Sequence, residues 1–484
     1  MLDWLRTPLA IVFVFGLVVF IHELGHFLAA KATGVYAPRF SIGFGPALWS
    51  HKWGETEYVI AAIPLGGYVR MASREDETMA MLEGGGEHAS SSGADEGGAA
   101  LPRSSRYYDP DGMAPFGPRP VPEQRLFESK SLAARLLIMF AGVTMNMVLG
   151  FVILGGLALQ EGVPVINTRV IGGVMPVPGA PQLAQLAPGD TILAVNGQPI
   201  ASWDDFVAKA AASHASTFRV RTQRGQVTVP LGDSTGVTLA QIMTAVQPDV
   251  PAVIAQVFPD GAGARAGMQQ GDSIVGVNGR PMDSWPQVVA LVQQSAGDTL
   301  HVQVARGGSR TMLAVRPDSE TAPNPVTGRM EVTGRIGVER QIGETQPISL
   351  GEAIGAGWSG TWVFAGTVVG VVKGLFTGGV SVKALGGPIT IARVSAQAAE
   401  MGFATVLRLL AFLSVNVAVL NLLPIPILDG GQILLNVAEA VKGRAFSTRT
   451  RENILRFGLV AIGLLFALVM YNDITSLVKS LLRP

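Results

Sequence analysis

The chain has no cysteine, which excludes a disulfide framework and any thiolate metal site. A metal ion bound here must be held by histidine and carboxylate. Charge is also scarce. Only 15% of the residues are Asp, Glu, Lys or Arg, against about 25% in an average soluble chain. The 36 basic residues balance the 36 acidic ones, so no net field points to nucleic acid as a partner. Apolar residues occupy 48% of the 484 positions, and the length allows three or more domains. A membrane protein with a sizeable aqueous part fits these values.

The apolar residues gather into long runs. Four read as transmembrane helices, at residues 8–33, 132–159, 404–423 and 454–477. Arg119, Arg125, Lys130 and Arg135 flank the start of the second run, and Lys442, Arg444, Arg449, Arg451 and Arg456 lie between the last two. The positive-inside rule makes both loops cytoplasmic and puts the N-terminus, residues 160–400 and the C-terminus outside. Residues 354–372 carry no charge but are rich in Gly, Ser and Thr. A fifth span there would force one basic loop outward, so this stretch reads as a surface-lying helix. The first run is no signal peptide. It outlasts an h-region, its only basic lead is Arg6, and cleavage after Ala29-Ala30 would discard two histidines.

Those histidines carry the chemistry. Between residues 8 and 30 the only ionisable groups are His22, Glu23 and His26, in the string His-Glu-Leu-Gly-His. On a helix His22 and His26 share one face and can bind one zinc ion, with Glu23 as general base toward water. In a soluble core the pair could be ordinary buried histidines. Inside lipid that reading weakens, because a charge there has no water to relax into. A second string, Asn-Leu-Leu-Pro-Ile-Pro-Ile-Leu-Asp-Gly at residues 421–430, ends the third span. Pro424 and Pro426 break the helix and free backbone groups. Asp429 then lies at the cytoplasmic end of that span, although alone it would read as a turn residue before Gly430. His22 is about fifteen residues into a span that starts outside, some 22 Å across a core of about 30 Å. The depths agree, and a His22–His26–Asp429 zinc site with an open fourth position follows.

These strings resemble the site-2 protease family of intramembrane zinc metalloproteases. Phe40-Ser41-Ile42-Gly43-Phe44-Gly45-Pro46, Gly142 with Asn146, and Gly386-Gly387-Pro388-Ile389 are similar to that family too. The resemblance implies zinc on His22, His26 and Asp429, Glu23 as catalytic acid/base, and Asn421 holding a substrate strand. Val143 stands where many members have proline, and residues 73–123 look like an insertion. Thr56 to Arg70 is β-favouring and broken by Pro64 and Gly66-Gly67, which suggests a hairpin. The resemblance makes it a membrane-associated β-element whose edge could hold an unwound substrate. The candidate substrate-binding residues are Asn421, Asn146, Pro424, Pro426, Gly66 and Gly67.

Residues 83–100 are low in complexity and residues 102–122 are proline-rich, so both read as disordered linker. His51, His88, His214 and His301 show no ligand pattern. Residues 187–207 recur at 269–289, with Gly189-Asp190, Asn196-Gly197 and Ser202-Trp203 matching Gly271-Asp272, Asn278-Gly279 and Ser284-Trp285. Each copy reads as turn, strand, Asn-Gly turn and helix. The pattern resembles tandem PDZ domains, which bind peptides by strand addition or act here as a steric gate.

The expected fold is thus a polytopic α-helical membrane protein of about four transmembrane helices, with a membrane-associated β-element and two extracytoplasmic α+β PDZ domains. The expected segments are 1–35 (first helix), 36–72 (β-region), 73–130 (cytoplasmic loop), 131–160 (second helix), 163–240 and 245–318 (PDZ domains). Then come 319–400 (external region with the surface helix), 401–431 (third helix), 432–453 (basic loop) and 454–484 (fourth helix). The resemblance implies a protease of the bacterial inner membrane, with PDZ domains in the periplasm and its site near the cytoplasmic leaflet. It would cut single-pass membrane proteins, such as an anti-sigma factor or remnant signal peptides, after an upstream protease has trimmed them. Two rivals remain. A PDZ scaffold with a vestigial site would not need the full set of catalytic residue types. A zinc sensor or transporter would need a polar path, and the second and last spans offer few polar side chains beyond Asn146.

Overall fold

The computed structural model describes residues 3–73, 107–213, 216–232, 235–258, 261–327, 329–341, 343–377, 382, 385–444 and 446–482. The low-complexity stretch 83–100, with His88, and His214 lie outside them. Two compact units divide the chain, one of residues 161–348 with 376–380, the other of the remainder.

In the larger unit, helix α1 (Asp3–Ala32) leads into two long strands, β1 (Arg39–Trp53) and β2 (Thr56–Arg70). Both strands bend where Pro46 and Pro64 interrupt them. Residues 39–42 therefore pair on one side with 57–60 and on the other with 67–70, while 47–53 pair with 56–61. The hairpin becomes a four-segment sheet with 67–70 as one edge. Glu55 at its turn accepts hydrogen bonds from Lys31 Nζ (2.6 Å) and from two Arg125 nitrogens (both 2.8 Å), so the turn is tied to the end of α1. Phe27, Phe40 and Val69 are buried between sheet and helix, whereas Leu48, Trp49, Trp53, Ile60 and Ile63 are exposed.

Residues 107–122 are ordered, contrary to the disordered linker expected from proline content. Two aromatic residues anchor them: Tyr107 Oη donates to the Ser50 carbonyl (2.7 Å), and Phe116 is buried under Lys52 Nζ, 4.4 Å from its ring centroid. Proline limits backbone entropy as well as hydrogen bonding, so a proline-rich stretch with aromatic anchors is inexpensive to order. Helix α2 (Leu132–Glu161) follows.

The smaller unit contains the two repeats. In the first, β3 (Ile192–Val195), β4 (Gln198–Pro199), helix α3 (Trp203–Ala211), β5 (Thr217–Thr222), β6 (Gly225–Pro230) and helix α4 (Leu239–Ala245) make a sheet of order β4-β3-β5-β6 with two helices. In the second, β7 (Ser273–Val277), β8 (Arg280–Pro281), helix α5 (Trp285–Gln294), β9 (Leu300–Arg306) and β10 (Ser309–Val315) repeat that order. Asn196 and Asn278 take the left-handed conformation (φ 49° and 51°), each followed by a glycine with positive φ, as a tight hairpin turn requires. Their side-chain oxygens accept from the Arg219 and His301 amides (2.9 and 2.8 Å). The repeated Gly-Asp is structural too. Asp190 and Asp272 are buried, accept from the Ala187 and Gln269 amides (2.9 Å each), and pair with Arg224 and Arg306.

The repeat boundaries at 240 and 318 prove too short. Val246–Pro248 pairs with Ile171–Val174, and β13 (Val338–Arg340) pairs with Ile254–Val257. These closing strands lie outside the copied string, so self-similarity could not reveal them. Between the second sheet and β13, strands β11 (Asp318–Pro323) and β12 (Met330–Arg335) form a hairpin. Its Val326 is buried in the core of the first repeat, and Gln241 Nε2 donates to the Val326 carbonyl (3.2 Å). A cavity of about 260 Å³ opens between α5 and β12–β13, lined by Trp285, Val288, Val292, Gly334, Ile336 and Val338 among others.

The chain returns to the larger unit with α6 (Leu350–Thr377), α7 (Pro388–Met401), α8 (Phe403–Asn421), α9 (Asp429–Lys442) and α10 (Thr448–Leu482). Gly357 of α6 abuts Gly155 of α2, and Phe364 meets Phe412 of α8 edge to face at 5.4 Å. Among the described residues, five helices (α1, α2, α6, α8 and α10) are long and apolar enough to cross a membrane.

Removing Asp272 strips the second repeat of its hydrogen bonds from Arg306 and Gln269. Asp272→Ala should cost roughly 2–3 kcal/mol, read as lost amide protection across β7 and β9 in hydrogen exchange. The hydrogen bond from Arg306 is the main cause that holds the Asp272 carboxyl below its usual pKa. Its contribution is therefore complete above the ordinary carboxylate pKa, and should fade as pH falls below that value through the depressed one.

Candidate metal centre

α1 carries His22 and His26 one turn apart, and both are buried. Their rings meet α2 because neither helix has a side chain at the crossing. A Cβ on Gly25 would lie 2.7 Å from the Ala141 carbonyl carbon. One on Gly142 would lie 2.8 Å from His26 Cε1 and 2.9 Å from His22 Cε1. His26 Nδ1 donates to the Ile138 carbonyl (2.8 Å), which leaves Nε2 as the free donor atom.

The third candidate ligand arrives from the break after α8. Leu428 N donates to the Ile425 carbonyl (2.9 Å) and Gln432 Nε2 to the Pro426 carbonyl (2.7 Å), so the loop folds back on itself. Gly430 and Gly431 leave no room for a Cβ against residues 422–426. Asp429 is thereby placed at the first turn of α9, where the helix dipole favours a carboxylate. α9 is fastened to α2 by Arg135 Nη1, which donates to Asn436 Oδ1 (2.8 Å), and to α10 by the Glu439–Arg451 pair.

His22 Nε2 lies 3.2 Å from Asp429 Oδ2 and 3.2 Å from His26 Nε2, and His26 Nε2 lies 3.4 Å from Asp429 Oδ1. His22, His26 and Asp429 form the one group of potential metal ligands among the described residues. Three lone pairs that converge this closely repel one another unless a proton or a metal ion sits among them. Asp429 Oδ2 is buried without a hydrogen-bond donor. Zinc bonds to imidazole and carboxylate are about 2.0–2.2 Å, so two tetrahedral ligand atoms lie about 3.3–3.5 Å apart. The donor set fits zinc in type, number and spacing.

The remaining candidates sit at different distances from this centre. Glu23 accepts a backbone hydrogen bond from Val69. A Cβ on Gly67 would meet Glu23 Cγ at 3.1 Å, so the sheet edge at 67–70 runs beside Glu23. Gly66 lies against the Phe44 ring. Asn421 Nδ2 is 2.9 Å from His22 Nε2 and lines the centre. Pro424 belongs to the folded-back loop, and Pro426 packs against Gly458 of α10. Asn146, which the sequence reading places among the substrate-binding residues, is fully buried, with its amide 3.4 Å from His22 Nδ1. Asp473 escaped that reading. It is buried on α10 and accepts from the Gly387 and Ile389 amides (2.9 Å each) and from Thr390 Oγ1 (2.6 Å), which caps α7. Its signal was a lone acid within an apolar run.

The chain matches the model of peptidase family M50 over residues 10–465. It is 32% identical to a Neisseria meningitidis protein named "Putative zinc metalloprotease", across 98% of this chain and all of that one. It is 31% and 30% identical to the regulator of sigma-E protease of Salmonella typhimurium and of Escherichia coli, each across 99% of this chain and the whole relative.

A side chain at the helix crossing should open the centre. Gly142→Val is expected to cut bound zinc at least tenfold in the purified protein, measured by atomic absorption. Gly16→Val, where a Cβ would touch nothing within 4 Å, should leave it unchanged.

Proposed function

We propose a mechanism and a topology for a chain that belongs to peptidase family M50, the site-2 protease family of zinc metalloproteases. It is a membrane-embedded zinc metalloprotease. The observation that carries the finer reading is the convergence of His22, His26 and Asp429 next to Glu23 and the strand edge at 67–70. In this reading His22, His26 and Asp429 hold the ion, which when bound supplies the Lewis acidity that makes water a nucleophile near neutral pH. Glu23 takes the proton of the attacking water and returns it to the leaving amine. A peptide bond inside a helix is shielded by its own hydrogen bonds, so the substrate must unwind. Residues 67–70 hold the extended segment by strand addition, and Asn421 steadies it at the centre. The apolar face of Leu48, Trp49, Trp53, Ile60 and Ile63 dips into the bilayer.

The substrates are single-pass membrane proteins already trimmed by another protease, with a membrane-bound anti-sigma factor as the leading class and remnant signal peptides as another. Two relatives bear the name regulator of sigma-E protease, which supports that class. The repeats act as PDZ domains that exclude proteins still carrying a folded external domain. The cavity between α5 and β12–β13 favours a second role, capture of a peptide end by strand addition.

The bilayer is a bacterial inner membrane, crossed four times by α1, α2, α8 and α10, with the repeats in the periplasm. α6 has the composition of a fifth span, yet chain length speaks against one. Its 28 residues make a helix of about 42 Å. Val382, five residues beyond its end at Thr377, is held at the far end of α10, where Asn472 Nδ2 donates to its carbonyl (2.7 Å). Five residues reach at most about 18 Å, too short to recross a core of about 30 Å. α6 therefore lies in the outer leaflet, with Trp358 and Trp362 exposed as interfacial anchors.

The decisive experiment uses liposomes, a tagged single-pass substrate without its external domain, and zinc determination. Wild type should cleave. Glu23→Gln should keep about one zinc and lose activity by about 10²–10⁴-fold; unimpaired turnover would remove Glu23 from its role. Asp429→Asn should lose zinc, and full occupancy would refute ligation. Topology is checked by single cysteines in this cysteine-free chain. An impermeant thiol reagent should reach Thr377→Cys from the periplasm and Ser447→Cys only from the cytoplasm. Labelling of Thr377→Cys from the cytoplasm would establish a fifth span.

A further inference from the structure

Resting on the metal-centre reading, we propose that Asn146 is a positioning residue that holds His22 in the tautomer whose Nε2 faces the metal ion. Three features of the structure lead there. His22 Nε2 points at Asp429 and His26 (3.2 Å each), so its far nitrogen, Nδ1, is directed toward α2. The Asn146 amide lies 3.4 Å from Nδ1. Asn146 is 0% exposed, and its Oδ1 has no hydrogen-bond partner.

A neutral imidazole has one N–H and one lone pair. If Nε2 gives its lone pair to a metal, Nδ1 carries the hydrogen and needs an acceptor. With the amide nitrogen toward Nδ1, the His22–Asn146 pair would demand the opposite tautomer, with hydrogen on Nε2 facing the other ligands. A half-turn of the amide removes the tautomer conflict: Nδ1–H donates to Oδ1.

The surroundings fit a positioning role. Ser414 Oγ donates to the Asn146 carbonyl (2.9 Å), which ties this turn of α2 to α8. Gly142, one turn earlier, lets the imidazoles approach. His26 is served in the same way from the same helix, by the Ile138 carbonyl. One helix thus orients both histidines, with a backbone acceptor for one and a side-chain acceptor for the other.

The test measures zinc affinity in the full-length protein in detergent, by competition with a chelator of known affinity. Asn146→Asp keeps an acceptor; Asn146→Leu and the smaller Asn146→Ala remove it. Both apolar variants should bind zinc 10–100-fold more weakly, while Asn146→Asp stays within a few-fold of wild type. Thermal unfolding of the zinc-stripped proteins identifies any variant that fails to fold, and Asn146→Ala carries the test if Asn146→Leu does so. Wild-type affinity in the apolar variants would overturn the proposal. So would equal weakening in all three, which would make Asn146 a packing residue. His22→Ala separates the two readings. If it releases zinc and the apolar Asn146 variants do not, only the role of Asn146 falls; if wild type holds no zinc, the metal centre falls with it.

Discussion

An imidazole buried among apolar helices must find a partner for each nitrogen, and much of this molecule follows from that demand. Water cannot serve in such a place, and an unpaired polar group there is expensive. Between residues 8 and 30, α1 has no side-chain donors or acceptors beyond the three ionisable groups themselves. Partners must come from other helices, so α2 crosses α1 at Gly25 and Gly142, close enough for Ile138 and Asn146 to approach the far nitrogens. The near nitrogens face a carboxylate that enters from a distant part of the chain. Prolines that would spoil a span are tolerated because the broken turn is what delivers Asp429.

The same economy governs the rest of the larger unit. Where a helix ends or breaks, a polar side chain from a neighbour meets the exposed backbone: Asp473 for the start of α7, Gln432 for the proline turn. Charged groups are paired where they hold elements together, as with Glu55, Lys31 and Arg125 at the hairpin turn. The repeats solve a different problem. They are small domains whose cores rest on buried aliphatic and aromatic residues, and each uses one buried aspartate to lock a turn against a strand.

Legibility in the sequence tracked the range of the interaction. The long apolar helices, the Asn-Gly turns and the spacing of His22 and His26 depend on neighbours a few residues away, and all could be read directly. Asp429 was legible because two depths in a membrane could be compared. Contacts made across the fold were not. The strands that close the repeats carry no copied residues, and Tyr107 and Phe116 look like any aromatics in a proline-rich stretch. Asp473 gave only a hint, an acid with no visible partner. Asn146 was noticed for its motif, but its approach to His22 was not, because nothing in the sequence says which face of α2 meets α1.

The bent hairpin has a geometric consequence on the proposed reading. The strand edge that touches Glu23 belongs to the same sheet as Trp49 and Trp53, which on this reading lie in lipid. The catalytic carboxylate is then referenced to the bilayer surface as much as to the protein. Such an enzyme selects its bond by depth: the residue cut is whichever one the lipid holds level with the edge, and membrane thickness becomes a determinant of specificity.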